Sequence, residues 1–334
     1  YGSIYLQIVM LFSFGSIMAE ICMNIMRATG SSIKSMKIQL LGAITNIILD
    51  PLLIFGMFFF PKLGISGAAI ATVLGQIISM IYGIYLVSKE SNNIHFSINN
   101  FHYESSITKS IIAVSIPATF MVGLQSVMLG GINLILANES KTAIAVFGIY
   151  YKLQAFITMA LIGLTQGMMP IFGFNFGAKD KERVMKSIKY SLVIACVIMI
   201  TGTLIFNIFP LQLLRMFNST AEIELIGISC LKICSLGFTF AGIGLIFATL
   251  FQAIGKPHYS LMLTFSRQIL FLLVIAYFLY NIIGLKGVWF AFPIAEFLCA
   301  SMGSIMFIPI YKNIIKPLEE QEPQLDISKD LVTA

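Results

Sequence analysis

The chain has 334 residues, 58% of them hydrophobic and only 11% charged, with a mean hydropathy of +0.91. Soluble domains carry about 25% charged residues, and a soluble chain of this length could not hide so much apolar surface, so a water-soluble enzyme or binding module is excluded and the solvent is lipid. The net charge of +6 is therefore read against the two sides of a membrane and not as a nucleic-acid signal.

Nine segments are long and apolar enough to cross a bilayer as helices: 5–28, 36–60, 64–88, 110–137, 142–173, 187–209, 222–251, 258–283 and 285–311. Tyr1 already stands at the edge of the first, with no starting Met and no signal peptide, the pattern expected of a fragment. That span carries Glu20 and Asn24 at i, i+4 spacing. They suit a proton relay or a substrate cavity, or else a helix–helix hydrogen bond or a pairing with Arg27 near the interface.

The second span contains NIILDPLLIFG, residues 46–56. A carboxylate at the centre of a lipid-facing helix costs roughly 2.5–3.5 kcal/mol on insertion scales, so Asp50 needs a reason. Asn46 and Asp50 project from one helix face. Pro51 has no N–H, so it frees the carbonyl of Ile47 and is expected to kink the helix. A carboxylate, an amide oxygen and a free carbonyl are hard oxygen ligands that suit Na⁺, and the same carboxylate can take up a proton. The structural alternative is an Asp that caps a kink inside a bundle.

After the third span comes a polar stretch, and then spans four and five with Gln125, Asn133, Gln154 and Gln166. These neutral groups read as interhelical glue, with Gln125 and Gln154 also candidates for a cleft. Lys152 either snorkels to the outer interface or lines the cleft. The basic NFGAKDKERVMKSIK that follows reads as a loop leading into an interfacial helix. Cys230 and Cys234 are i, i+4 in span seven, but no His or third Cys is near, so they read as packing residues rather than a metal pair. Arg267 in span eight and Glu296 in span nine could neutralise each other as a structural pair or line a cavity, since an unpaired charge there is costly. The 18 Met and 28 Phe suit an adaptable apolar cavity and suit lipid-facing helices equally.

Most of the 21 Lys and Arg fall after spans one, three, five, seven and nine, against Lys62, Lys141, Arg215 and Lys286 on the other side. The positive-inside bias predicts a cytoplasmic C-terminal tail and a start on the outer side. Two regions also read alike. YLQI…MRATGSSIKSM (5–36) parallels CLKI…FQAIGKPHYSL (230–261), each ending in a Gly turn at Gly30 or Gly255. LGISGAAIATVLGQ (63–76) parallels IGLKGVWFAFPIAE (283–296), aligning Gly67 with Gly287 and Gln76 with Glu296. The second copy has three more spans before its matching part. Three spans upstream of Tyr1 would complete six plus six, two parallel repeats related by an axis along the membrane normal, which is a transporter plan.

NIILDPLLIFG, GISGAAIATVLGQ and GLTQGMMPIFGFNFGAKDKERV resemble the multidrug and toxic compound extrusion (MATE) transporters. FQAIGKPHYSLMLTFSRQILFLL and GLKGVWFAFPIAE look most like the branch of bacterial MepA-type exporters. The similarity runs from about residue 5 to 312. It implies helices four to twelve of a twelve-helix, two-lobe, all-α fold: residues 1–90 as the second half of the N-lobe, 91–109 as an interlobe linker, 110–312 as the C-lobe and 313–334 as a polar cytoplasmic tail. It also implies export of amphipathic cationic drugs by alternating access, driven by Na⁺ or H⁺. In related members an Asp on the first helix joins an Asn and Asp on the fifth and a Thr on the sixth to hold the cation. Asn46, Asp50 and Thr72 stand at the matching positions. A second branch carries a Glu on the seventh helix, eight residues after a Pro; counted from Pro117 that position is Gln125, so such a site is not expected.

No G-x-S-x-G, H-E-x-x-H or P-loop is present, which argues against an enzyme and against direct ATP drive. The expectation is a monomeric, multi-pass protein of the bacterial plasma membrane with no organic cofactor, no nucleic-acid partner and no metal beyond Na⁺ at Asp50. A lipid-linked sugar or polysaccharide exporter of the same superfamily shares the span plan and is the alternative.

Overall fold

The computed structural model describes residues 2–58, 60–89 and 103–320. Every regular element among them is a helix. The chain divides into two compact units, Tyr1–Tyr103 and Glu104–Ala334. The linker expected at 91–109 and the tail expected at 313–334 lie largely outside the described residues.

The first unit contains α1 (Gly2–Leu11), α2 (Phe14–Ala28), α3 (Ser32–Phe55) and α4 (Ile65–Lys89). The second contains α5 (Ser105–Ala137), α6 (Lys141–Gly177), α7 (Lys181–Ile208), the short α8 (Pro210–Arg215), α9 (Ala221–Ser235), α10 (Phe238–Ala253) and α11 (Pro257–Phe265). From α11 the chain passes through a π-helical stretch, Ser266–Leu273, into α12 (Val274–Ile283), and α13 (Leu285–Ile310) follows. Long apolar side chains face outward all along these helices, as on Leu134 and Phe156, with 74% and 71% exposure. In a bilayer that surface belongs to lipid.

Seven helices are long and apolar enough to span a membrane: α3, α4, α5, α6, α7, the α11–α12 run and α13. Two further segments, expected as single spanning helices at 5–28 and 222–251, are each a pair of helices that reaches spanning length only when the two are taken together. α1 and α2 meet at 52°, and α9 and α10 at 46°. At the second break Gly237 lets α13 come close, because a Cβ there would come within 2.9 Å of Pro293 Cα. The absent side chain lets the two backbones touch where the chain turns. The Pro51 site differs from expectation in the other direction, since α3 is helical without interruption through it.

The internal repeat is visible in backbone geometry. The breaks at residues 12–13 and 236–237 fall at matching places. Gly30 and Gly255 both take left-handed φ, +80° and +74°, and each closes its helix with the same bond pair. Ser31 N donates to Met26 O and Lys256 N to Phe251 O, both at 2.8 Å, while Gly30 N and Gly255 N donate to Arg27 O and Gln252 O, both at 3.0 Å. Gly67 and Gly287 match as well. A Cβ on Gly67 would fall 2.4 Å from Leu53 O, and one on Gly287 would fall 2.2 Å from Leu279 O.

The cores are unequal. Cys22, Met23, Met26, Ile38 and Val87 form a small cluster in the first unit. The second unit has an aromatic centre, with Tyr150 edge-on to Phe292 at 5.6 Å and Phe206 edge-on to Phe238 at 5.1 Å. Cys230 and Cys234 are buried in it, and Cys234 Sγ donates to Trp289 O at 3.6 Å, as packing residues do. No group of three or more potential metal ligands occurs among the described residues.

Candidate functional site

In the first unit small residues bring α3 and α4 together. A Cβ on Gly75 would lie 2.8 Å from Gly42 O, and one on Gly42 would lie 2.0 Å from Ser79 Oγ. Ser79 Oγ in turn donates to Ile38 O at 3.1 Å. Such close backbone approach is how helices associate where lipid offers no hydrophobic drive. One turn beyond Gly42 comes Asn46, and three residues before Gly75 comes Thr72. The glycine contact therefore sets these two polar side chains opposite each other.

Asn46 Nδ2 donates to Asp50 Oδ1 and to Thr72 Oγ1, both at 3.4 Å. Thr72 Oγ1 spends its own proton on Ala68 O at 2.9 Å, so only its lone pairs face Asn46. All three residues are half-buried. The cluster thus holds one carboxylate, one hydroxyl oxygen and one amide. Turning the Asn46 amide over replaces its nitrogen with its oxygen. The set then offers three hard oxygens of the kind that coordinate Na⁺.

Glu20 and Asn24 form a separate group on α2 that closes on itself. Arg27 Nη1 donates to Asn24 Oδ1 at 2.9 Å and lies 3.5 Å from Glu20 Oε1, which also accepts from Asn24 Nδ2 at 3.5 Å. This is the geometry of the interfacial pairing with Arg27.

The second unit encloses a cavity of about 320 Å³. Its polar lining is Gln125, Tyr151, Gln154, Thr158, Arg267, Gln268 and Glu296, and its apolar lining includes Met128, Leu161, Phe238 and Phe292. Arg267 Nη1 stands 3.3 Å from Glu296 Oε1, joining the π-helical stretch to α13. The structure thus brings together four of the sequence candidates, Gln125, Gln154, Arg267 and Glu296. Lys152 is exposed and is not part of the lining. Asn133 and Gln166 are also exposed, with no side-chain hydrogen bond among the described residues, so their reading as interhelical glue is corrected: they sit on outward faces.

Sequence reasoning did not select Tyr151 and Gln268. Tyr151 accepts a hydrogen bond from Gln125 Nε2, and it lies three residues before Gln154 on one face of α6, a spacing that could have found it. Gln268 gives no such signal. It is buried, at 5% exposure, beside Arg267 in the π-helical stretch, whose wider turn sequence periodicity does not show.

A family model described as MatE matches residues 117–278. The multidrug export protein MepA of Staphylococcus haemolyticus is 29% identical over 308 residues, which cover 92% of this chain and 66% of that protein. An FAD transporter of Shewanella oneidensis is 29% identical over 275 residues, 82% of this chain and 60% of that protein. The chain thus spans just under two thirds of the length of these curated relatives. The outward-facing structure of a multidrug resistance MATE family transporter of the MOP superfamily superposes with a TM-score of 0.86 at 22% identity, over 95% of this chain and 70% of that one.

Proposed function

We propose that this chain is a membrane transporter of the MATE family, in its MepA-like branch, and that it belongs to a secondary exporter that moves amphipathic cationic drugs out of the cell by alternating access. The coupling ion is H⁺ or Na⁺, and Asp50 is the group that takes it up. The observation that carries this reading is the Asn46 amide, within 3.4 Å of both Asp50 Oδ1 and Thr72 Oγ1 between two helices of membrane-spanning length. A bilayer does not tolerate a carboxylate without a compensating partner, and here that partner is a cluster of convertible oxygen ligands rather than a basic residue.

The exporter acts as a monomer in the bacterial plasma membrane, with its C-terminus in the cytoplasm. The relatives are named for multidrug export and FAD transport, which does not favour the lipid-linked sugar alternative. Ethidium efflux from energised cells expressing the protein tests the reading. Faster efflux than in vector controls supports it, and no efflux together with flipping of a labelled lipid would move the assignment to the alternative.

A further inference from the structure

We infer that the cavity of the second unit binds a small net-neutral zwitterion, an acid and an amine on neighbouring atoms of an apolar body. This goes beyond the cation reading at Asp50 and does not depend on it, because every residue it uses lies between Glu104 and the end of α13.

The argument starts from charge. Arg267 and Glu296 face the cavity as an ion pair 3.3 Å apart, with 31% and 16% of their side chains exposed. A purely cationic ligand would have to compete with Arg267 for Glu296, and a purely anionic one would compete with Glu296 for Arg267. Either exchange strands a charge away from water, which is costly. A ligand carrying both signs at a separation like that of the pair lies alongside it and completes a four-charge square, stranding nothing.

Hydrogen bonding supports the same chemistry. Among the described residues Arg267 makes one side-chain hydrogen bond, to Glu296, so most of its five guanidinium N–H groups have no protein partner. On the acceptor side, Glu296 Oε2 and Gln268 Oε1 are buried without a donor among the described residues. Such orphans are rare and call for an explanation. The Arg267 guanidinium and the Glu296 carboxylate thus stand side by side in the lining, the one suited to a carboxylate and the other to an ammonium. Gln154 adds an uncommitted amide. Met128, Leu161, Phe238 and Phe292 supply apolar lining. Arg267 and Gln268 both lie in the π-helical stretch, a geometry that recurs at functional sites.

The test is isothermal titration of the purified, detergent-solubilised chain with three probes that share an indole: tryptophan, tryptamine and indole-3-propionate. We expect saturable binding of tryptophan at least tenfold tighter than either single-charge probe. Arg267→Gln should erase the preference over tryptamine, and Glu296→Gln the preference over indole-3-propionate. The double variant Arg267→Gln/Glu296→Gln leaves no unpaired charge, so it remains informative if a single variant fails to fold, and it should bind all three alike. No saturable tryptophan binding to the unmodified chain, equal affinity for the three probes, or a zwitterion preference that survives in the double variant would overturn the inference.

Discussion

The amide nitrogen of Asn46 on α3 lies 3.4 Å from the hydroxyl oxygen of Thr72 on α4, and this contact makes a two-helix site out of a single-helix polar pair. Thr72 has already given its proton to Ala68 O, so it can serve the site as an oxygen acceptor only. Thr72→Ser should keep the oxygen and leave export within about twofold. Thr72→Val should raise the coupling-ion concentration for half-maximal transport several-fold, as loss of one ligand from a small oxygen set does. Transport measured against H⁺ or Na⁺ concentration checks both.

The matched glycines predict matched instability. Gly67→Ala and Gly287→Ala each place a methyl within 2.4 Å of a neighbouring carbonyl oxygen. The backbones must separate, at a cost of about 1–3 kcal/mol in each case. Gly163→Ala is the control, because nothing lies within 4 Å of its Cβ position and Ala is the better helix former. Thermal unfolding in detergent should show the first two lowered and the third unchanged or raised.

The Arg267–Glu296 pair predicts non-additive stability. Arg267→Leu or Glu296→Leu alone leaves one charge in a poorly hydrated site, and each should destabilise by about 2 kcal/mol. That is less than a fully buried pair would show, because Arg267 keeps 31% exposure. The double Leu variant should lose less than the sum of the two. A double-mutant cycle in denaturant or heat measures the difference.

The charge bias along the loops predicts sidedness. Ala221→Cys at the start of α9 and Glu182→Cys at the start of α7 are both exposed positions on opposite ends of spans. A membrane-impermeant maleimide should label Ala221→Cys in intact cells and Glu182→Cys only after permeabilisation. The reverse pattern would contradict a cytoplasmic C-terminus.

Much of this was legible from residues alone. Nine apolar runs of spanning length, the i, i+4 pairing of Asn46 with Asp50, and the Gly30/Gly255 and Gly67/Gly287 correspondences are local patterns, set by helix periodicity and by positions that only glycine fills. The breaks near Ser13 and Leu236 were not legible. Neither carries a proline, and at the second α13 meets Gly237 through Pro293, a contact distant in sequence. Arg267 and Glu296 could be paired in advance because two charges in lipid have few other choices. Gln268 could not, because its role follows from a π-helical register that a 3.6-residue period hides. Thr72 shows both effects: its resemblance to a family position marked it, and the Gly42–Gly75 contact explains why that position faces Asn46.

The most direct measurement of the central claim is cation counterflow in proteoliposomes containing the purified protein. Addition of ethidium should drive measurable H⁺ or Na⁺ movement in the opposite direction. Asp50→Asn keeps the size and the hydrogen-bonding partners but cannot bind or release the coupling ion by a change of charge, so counterflow should fall at least tenfold while Glu20→Gln retains it. Undiminished counterflow through Asp50→Asn would contradict the assignment of Asp50 as the coupling group.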